Sequence, residues 1–436
     1  MPPNSADPAL ARALQDLGCA GAAQLAIGGL PARELAASFG TPLYVFDAAV
    51  LRARLQQVRA ALGARVRVLW SVKANPSLAV ASCLRAAGAG AEVASLGELH
   101  LALAAGHAAA DLRFAGPGKT DAEIDAAVAA GLGCFHVESA QELASIAHAA
   151  RARGAAAGVA LRVNLARELG GSRLRMGGAS SRFGVDEDQV PELVRTILRE
   201  PGLHLRGLHV YAGTQCFDAA AFVQHAKALV VRAAGWEQQL GVAFDELDLG
   251  GGFGSAAFAG DPEFDLAGAG RGVQELVAEH DRRSRTWFVE LGRFLCGPAG
   301  VYLTTVVRSK QSGGRTHVVL DGGMHQHAAA AGVGTVLRRN PLLVHADRLD
   351  GGTTHAVVLG GPLCTPADQF GDEVELPPLA PGELVAVLHA GAYGLSFSPH
   401  GFLSHATPAE VLVDEGRARV VRRRGAVQDV LRDQMP

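Results

Sequence analysis

The sequence predicts an α/β fold, an eight-stranded (β/α)8 barrel followed by a C-terminal, mostly-β domain. Three observations carry this reading. Eight β-rich runs alternate with helical patterns between residues 66 and 290, the rhythm of parallel strands joined by crossover helices. Eight such units in about 230 residues suit a closed barrel better than an open sheet. Beyond about residue 297 strand-like runs continue while long helical patterns stop. At 436 residues the chain is too long for one small core. The expected division is an N-terminal arm over 1–43, part of it packing with the β domain, a barrel over 44–296, and a β domain over 297–436.

Composition excludes several classes of function. Apolar residues make up 49% and charged ones 19%, as in soluble globular proteins. A net charge of −3 gives no sign of a nucleic-acid partner. Arg417, Arg419 and Arg422–Arg424 read as a solvated hairpin face. Six cysteines, at 19, 83, 134, 216, 296 and 364, contain no CxxC and suggest free thiols in a reducing compartment. The first residues carry no signal-peptide pattern, and no apolar run approaches membrane-spanning length. A cytoplasmic protein without a membrane partner is expected.

In chain order, residues 1–22 read as a loose arm with a short helix. Gln24–Ile27 reads as a strand, Pro31–Ser38 as a short helix, and TPLYVFD (Thr41–Asp47) as apolar and β-rich. Asp47 caps a helix over Ala48–Leu62. The eight barrel strands are expected at 66–72, 91–94, 112–115, 134–137, 158–164, 205–211, 244–249 and 286–290. Helices are expected over Leu78–Ala87, Leu96–Ala105, Asp121–Ala130, Ala140–Ala152, Gln189–Arg199 and Ala219–Leu240. The β domain shows strands at 301–307, 316–320, 354–359, 384–388, 409–414 and 418–422. The segment 325–345, with AAAAGVG, reads as a small-residue loop. No internal repeat appears beyond the barrel rhythm.

The first barrel strand is the stretch the chemistry depends on. Val66, Val68 and Trp70 alternate with Arg67, Leu69 and Ser71, and Lys73 closes the run before Ala74-Asn75-Pro76 stops it. A lysine ending an apolar strand either snorkels to water or is desolvated into a nucleophilic amine that condenses with carbonyls. Barrel chemistry gathers at the C-terminal ends of strands, which raises the second reading.

Other strand ends carry candidates. DLGGGFG (Asp248–Gly254) offers backbone N–H groups from Gly250, Gly251 and Gly252 to a phosphate. ELGR (Glu290–Arg293) is either a surface ion pair or a grip on a cofactor. Arg162, inside the apolar LRVN, is either a structural ion pair or a ligand to an anion. His209 and Tyr211 share a face by the period of two, and Tyr211 either stacks on a planar ring or fills the barrel core. Cys364 lies in the shaped loop GGPLCTPADQF, inert or catalytic. Tyr393 stands between small residues in AGAYG, as a ligand-facing tyrosine would.

These pieces, in this order over roughly residues 25–425, resemble the fold-type III pyridoxal-phosphate decarboxylases, the family of diaminopimelate, ornithine and arginine decarboxylases. The matching stretches are TPLYVFD, SVKAN, GAEVASLGEL, FAGPGK, HVESAQEL, LRVN, SRFGV, GLHVYAGTQ, DLGGGFG, ELGR, LDGGM, GPLCTPAD and AGAYG. Their order and spacing are specific where no single motif is. The resemblance implies an alanine-racemase-like barrel, pyridoxal 5'-phosphate as cofactor, and no metal. It implies that Lys73 holds the cofactor and that Glu290 faces the pyridine nitrogen. Gly250–Gly252, Gly292, Arg293 and Tyr393 would bind the phosphate end, with Glu92, Arg162 and His209 close to the cofactor and Tyr211 stacked on it. Cys364 would enter from a second protomer as proton donor, implying a homodimer with shared active sites. Thr365, Asp368, Met324 and His325 would meet the amino-acid substrate.

Three departures bear on substrate. Tyr211 stands where the family has a stacking His. Thr365 follows Cys364 where relatives have Asp or Glu, and Thr cannot balance a distal ammonium. Met324 is followed by HQHAAAAGVG, with no arginine until Arg338, where diaminopimelate enzymes carry an Arg and Tyr. With YAGTQ, GGMHQH, LRRNP and GPLCTP, this resembles a side branch of siderophore, exosortase-associated and carrier-protein-linked decarboxylases. A citryl- or carrier-linked amino acid is therefore expected over a free diamino acid. The alternatives are a diaminopimelate decarboxylase, a racemase or epimerase, which an arginine in place of Glu290 would favour, and an inactive regulator that has lost the cofactor.

Overall fold

The computed structural model describes residues 7–165, 174–175, 181–211, 213–281, 284–333 and 338–435. Residues 1–6 of the arm, Ala212 of YAGTQ, the last glycine of AAAAGVG and Leu337 of LRRNP lie outside them. The chain forms two compact units. One comprises Met1–Ala53, Ala256–Glu263 and Leu295–Pro436, and the other Arg54–Ser255 and Phe264–Phe294.

The strands used below are β1 (Leu43–Asp47), β2 (Val66–Ser71), β3 (Gly90–Val93), β4 (Leu112–Phe114), β5 (Cys134–Val137), β6 (Ala157–Asn164), β7 (Leu203–His209), β8 (Glu246–Gly251) and β9 (Thr286–Leu291). They are followed by β10 (Gly300–Ser312), β11 (Arg315–Leu320), β12 (Leu343–His345), β13 (His355–Gly360), β14 (Gln369–Leu376), β15 (Leu384–Val387), β16 (Ala409–Asp414) and β17 (Arg417–Arg422).

Strands β2 to β9 pair in parallel, each with the next, and β9 pairs with β2 to close the barrel. All eight sit where the alternation of strand and helix patterns puts them. Four of them, β4, β5, β6 and β8, are buried over their whole length, as expected for strands packed on both faces. Trp70, Phe114, Phe135 and Trp287 are fully buried in this unit. The connecting helices carry the caps their sequences announce. Thr120 and Glu123 form a reciprocal capping box on Asp121–Ala129, and Asp218 caps Ala219–Leu240, which ends on left-handed Gly241.

The second unit is built on a long sheet in the order β14-β13-β11-β10-β1-β16-β17, with β15 pairing both β10 and β12. Strand β1, at the start of the segment expected to open the barrel, belongs here. It runs antiparallel to β10 and parallel to β16. Asp47 ends it and caps the helix Ala48–Leu62 as read from sequence, its Oδ1 accepting from the N–H groups of Ala49 and Val50. Two strands were not expected: β12, at the end of the segment 325–345 read as a loop, and β14, which begins at the end of the loop GGPLCTPADQF. In the described residues beyond 297 the helical segments are short 3-10 turns.

Candidate active site

Lys73 does not close the first barrel strand directly. The strand stops at Ser71, and Val72–Ala74 form one 3-10 turn, closed by the Asn75 N–H bonding the Val72 carbonyl. This turn lifts Lys73 clear of the barrel wall, leaving its side chain 36% exposed, while its partner Glu92 is 1% exposed. The Nζ atom lies 3.3 and 3.4 Å from the two Glu92 carboxylate oxygens. Register explains the meeting, because Ser71 and Glu92 are neighbours across β2 and β3. Gly292, just past β9, packs against the same turn, where an added Cβ would stand 2.8 Å from the Cβ of Ala74. Arg293 follows it at this end of the barrel.

Tyr211 stands two residues beyond the end of β7. Lys73 Nζ is 5.4 Å from its ring centroid, and the Arg162 guanidinium carbon is 6.0 Å from it. Arg162, on β6, pairs through Nη1 with Glu138 Oε1 at 2.9 Å. The ion pair and the ligand readings of Arg162 thus both survive, because its buried Nη2 has no hydrogen-bond partner.

His209 and Glu290 meet inside the barrel. His209 Nε2 lies 3.3 Å from Glu290 Oε2, and both residues are buried. Burial opposes the charge on Glu290, but His209, Lys73 and Arg162 outweigh it and hold the carboxyl below the usual range. Its Oε1 has no hydrogen-bond partner.

The glycine run is dictated by close approach of backbones. A Cβ on Gly250, Gly251 or Gly252 would stand 2.2 Å from Val210 O, 1.7 Å from Glu290 O or 2.0 Å from Gly213 O. Gly250 and Gly252 also have φ of +69° and +82°. The Gly250 N–H is taken by Asp248 Oδ1 at 2.9 Å.

Two buried members of this cluster, His136 and Asp248, were not singled out by the sequence, although both stand inside quoted motifs. All four residues of β5 are buried, so no alternation marks His136 as inward. Glu98 was also missed. It accepts from the Ala94 N–H at 2.7 Å, and burial, with Glu92 nearby, pushes its pKa up to about 7.

The remaining candidates lie in the second unit. Cys364 is exposed and Thr365 partly so. Asp368 is buried, its carboxylate accepting from the N–H of Met324 at 2.6 Å and of Leu363 at 2.8 Å. His325 is fully buried against His405, at 4.9 Å between ring centroids, and burial lowers its pKa to about 4. Tyr393 is partly buried, with φ of +53° and its ring 6.1 Å from that of Phe397.

The barrel residues fit pyridoxal phosphate on their own geometry. A half-exposed amine stands beside an aromatic face. A buried carboxylate oxygen and a guanidinium nitrogen lack partners, as atoms awaiting a polar ring would. A glycine cradle lies on the strand next to the carboxylate. Together they offer a site for an aldehyde, a basic ring nitrogen and an anion.

Comparison with known proteins agrees. The family described as "Pyridoxal-dependent decarboxylase, pyridoxal binding domain" matches residues 48–297. The chain is 37% identical over 403 residues to the L-glutamyl-[BtrI acyl-carrier protein] decarboxylase of Niallia circulans, covering 91% of this chain and 94% of that one. It is 30% identical to the diaminopimelate decarboxylase of Bacillus subtilis, covering 94% and 95%. It is also 30% identical to the 2-[(L-alanin-3-ylcarbamoyl)methyl]-2-hydroxybutanedioate decarboxylase of Staphylococcus aureus, covering 84% and 92%. The crystal structure of diaminopimelate decarboxylase from M. jannaschii, in co-complex with L-lysine, superposes with a TM-score of 0.88 at 25% identity, covering 95% and 96%. With the barrel, the amine-bearing turn and these likenesses in agreement, the chain belongs to the pyridoxal-dependent decarboxylases and is a carboxy-lyase that uses pyridoxal 5'-phosphate.

Proposed function

We propose that this enzyme removes the α-carboxylate of an amino acid presented as a conjugate, with an aminoacyl group on a carrier protein as the leading substrate class. One observation carries the reading, the fate of the charged groups beside Cys364. Asp368 is the only carboxylate in residues 361–370, and both of its oxygens are engaged by backbone N–H groups. Arg338, the first arginine after Met324, donates to the carbonyls of Ala331 and Ala367 and to Gln369 Oε1. Both charges therefore hold the two loops together. Thr365 has no charge to offer a distal ammonium. A substrate whose distal carboxyl is esterified to a carrier, or whose distal amine is acylated, asks for neither charge. The higher identity to the carrier-linked decarboxylase than to the diaminopimelate enzymes supports the same choice.

In this reading bound pyridoxal phosphate supplies a cationic ring that accepts the electron pair left as CO2 departs. Lys73 binds the cofactor through Nζ, and the Glu92 carboxylate stands beside that amine. Glu290 stays ionised and keeps the ring nitrogen protonated, where an arginine would not. Tyr211 and Arg162, 6.0 Å apart, would hold the ring between the strand ends that carry them. Gly251 and Gly252, with Gly292 and Arg293, take the phosphate, whereas the Gly250 N–H that the sequence also offered is held by Asp248. Tyr393 and Cys364 keep the roles the resemblance implies, phosphate ligand and proton donor, and with Cys364 goes a homodimer. Six free thiols agree with a place in the cytoplasm, and no helix among the described residues is long and apolar enough to cross a membrane.

The test is CO2 release by the cofactor-loaded protein, with Lys73→Ala as the blank. The substrates are meso-diaminopimelate, lysine, ornithine, arginine, glutamate, a glutamyl-carrier conjugate and citryl-serine or citryl-diaminopropionate. Release from a conjugate and from none of the free diamino acids is expected. Release from meso-diaminopimelate at a comparable rate overturns the argument from Asp368 and Thr365.

A further inference from the structure

His136 and Asp248 have no part in the reading above, yet they complete a buried group of four with His209 and Glu290. The rings of His136 and His209 stack at 4.1 Å between centroids, 15° from parallel. His136 Nδ1 is 3.6 Å from Glu290 Oε1, and His136 Nε2 is 3.9 Å from Asp248 Oδ2. Each of the four is at most 2% exposed. Within the group His136 Nδ1, His209 Nδ1, Asp248 Oδ2 and Glu290 Oε1 have no hydrogen-bond partner. Register brings them together, since His209 and Asp248 are direct neighbours across β7 and β8.

Two carboxylates this close and this dry cannot both ionise cheaply. The same four side chains would count as metal donors, their ligand atoms lying within 4.8 Å of one another. The stacking argues otherwise. Nearly parallel imidazoles hold their in-plane lone pairs side by side, and such pairs do not converge on one ion at about 2.0–2.1 Å. Sharing a proton suits the arrangement better.

We propose that His136 and Asp248 are positioning residues that hold one proton away from Glu290 and so keep its carboxylate ionised towards the cofactor's ring nitrogen. The inference rests on the role given to Glu290 above. Asp248 is the carboxyl that keeps the proton, because burial and the charge of Glu290 push its pKa well up. His136 stays neutral, because burial, then His209, Arg113, Lys119 and Arg162, push its pKa well down. A neutral His136 turns an Nδ1–H towards Glu290 Oε1 and a lone pair towards the Asp248 hydroxyl. Around the quartet, Lys73 beyond β2, Glu92 on β3, Arg113 on β4 and Arg162 on β6 add their charges, and the Lys119 ammonium bonds the His136 carbonyl at 2.9 Å.

The test compares wild type with Glu290→Gln, His136→Leu, His136→Asn and Asp248→Asn as cofactor-loaded proteins. It reads the cofactor's absorbance at about 420 nm across pH 6–9 and the cofactor Kd, with circular dichroism to check folding. Wild type is expected to keep a flat profile. His136→Leu should introduce a titration within that window and weaken cofactor binding about tenfold. Asp248→Asn, a neutral stand-in for the protonated carboxyl, and His136→Asn, which still donates towards Glu290, should both stay flat and keep the test open if His136→Leu does not fold. A flat profile and unchanged affinity in His136→Leu, or a titration in Asp248→Asn, beside an altered Glu290→Gln, overturns the proposal and leaves the role of Glu290 standing. A titration in His136→Asn also overturns it. A Glu290→Gln protein with the wild-type spectrum and affinity removes the reading of Glu290 and the proposal with it.

Discussion

Arg162 and Glu138 form a buried ion pair, Nη1 to Oε1 at 2.9 Å, with side chains 6% and 2% exposed. The same carboxylate also accepts from the N–H of Gly116 at 2.9 Å and of Gly184 at 3.0 Å. One glutamate at the end of β5 therefore ties down the chain after β4, the last turn of β6 and the entry to Val185–Asp186. Glu138→Gln should leave the Arg162 charge buried and uncompensated, at a cost of about 3–5 kcal/mol. The double variant Glu138→Gln/Arg162→Met should cost clearly less. Denaturant unfolding of the three proteins measures both values, and equal losses would refute the ion-pair account.

The glycine run gives a steric prediction. Gly251→Ala places a Cβ 1.7 Å from the Glu290 carbonyl, so β8 and β9 must separate exactly where the carboxylate is held. Stability should fall by about 1–3 kcal/mol, and the cofactor Kd should rise more than about tenfold. Gly241→Ala is the control. It has φ of +67° and open space around it, so it should lose about 1 kcal/mol from backbone strain and bind the cofactor as wild type does. Cofactor titration separates the two.

Glu98 gives a pH dependence. Its folded pKa of about 7 lies above the ordinary value of about 4.3, so the folded protein binds the extra proton. That contribution is complete below about pH 4.3 and is lost as pH rises through about 7. Glu98→Gln, which cannot ionise, should gain stability relative to wild type between pH 5 and 8. Thermal midpoints of both proteins at several pH values check the sign, and a constant difference would refute it.

Thr365→Asp tests the specificity argument directly. It puts a carboxylate next to Cys364, where Asp368 is engaged by backbone donors. CO2 release from free lysine or ornithine should rise at least about tenfold over wild type, with release from a conjugate reduced. No gain on either diamino acid would mean that Thr365 does not face the distal end of the substrate.

Much of the barrel was legible because its signal is local. Alternating strand and helix patterns, caps such as Asp47 and Asp218, and turn residues act within a few positions. Lys73, Glu92, Arg162, His209 and Glu290 could be named because the motifs that carry them keep a fixed order along the chain. Placement that depends on partners far away was not legible, even where, as in β1, the β character was. Strand β1 pairs with β10 and β16, more than two hundred residues on. Strand β14 hides its period behind register shifts against β13 and a positive φ of 52° at Glu373, and β12 has only three residues.

By itself the sequence determined the fold class, the amine at the end of the first barrel strand and the carboxylate at the end of the last. Tertiary structure decided which charges remain for chemistry. It engaged Asp368 and Arg338 with backbone groups, paired Arg162 with Glu138, and stacked His136 on His209 beside two carboxylates. The physical reason is that propensity and period are set by neighbours along the chain, whereas the ionisation and pairing of a buried group are set by whichever distant side chains the closed barrel brings within a few ångströms.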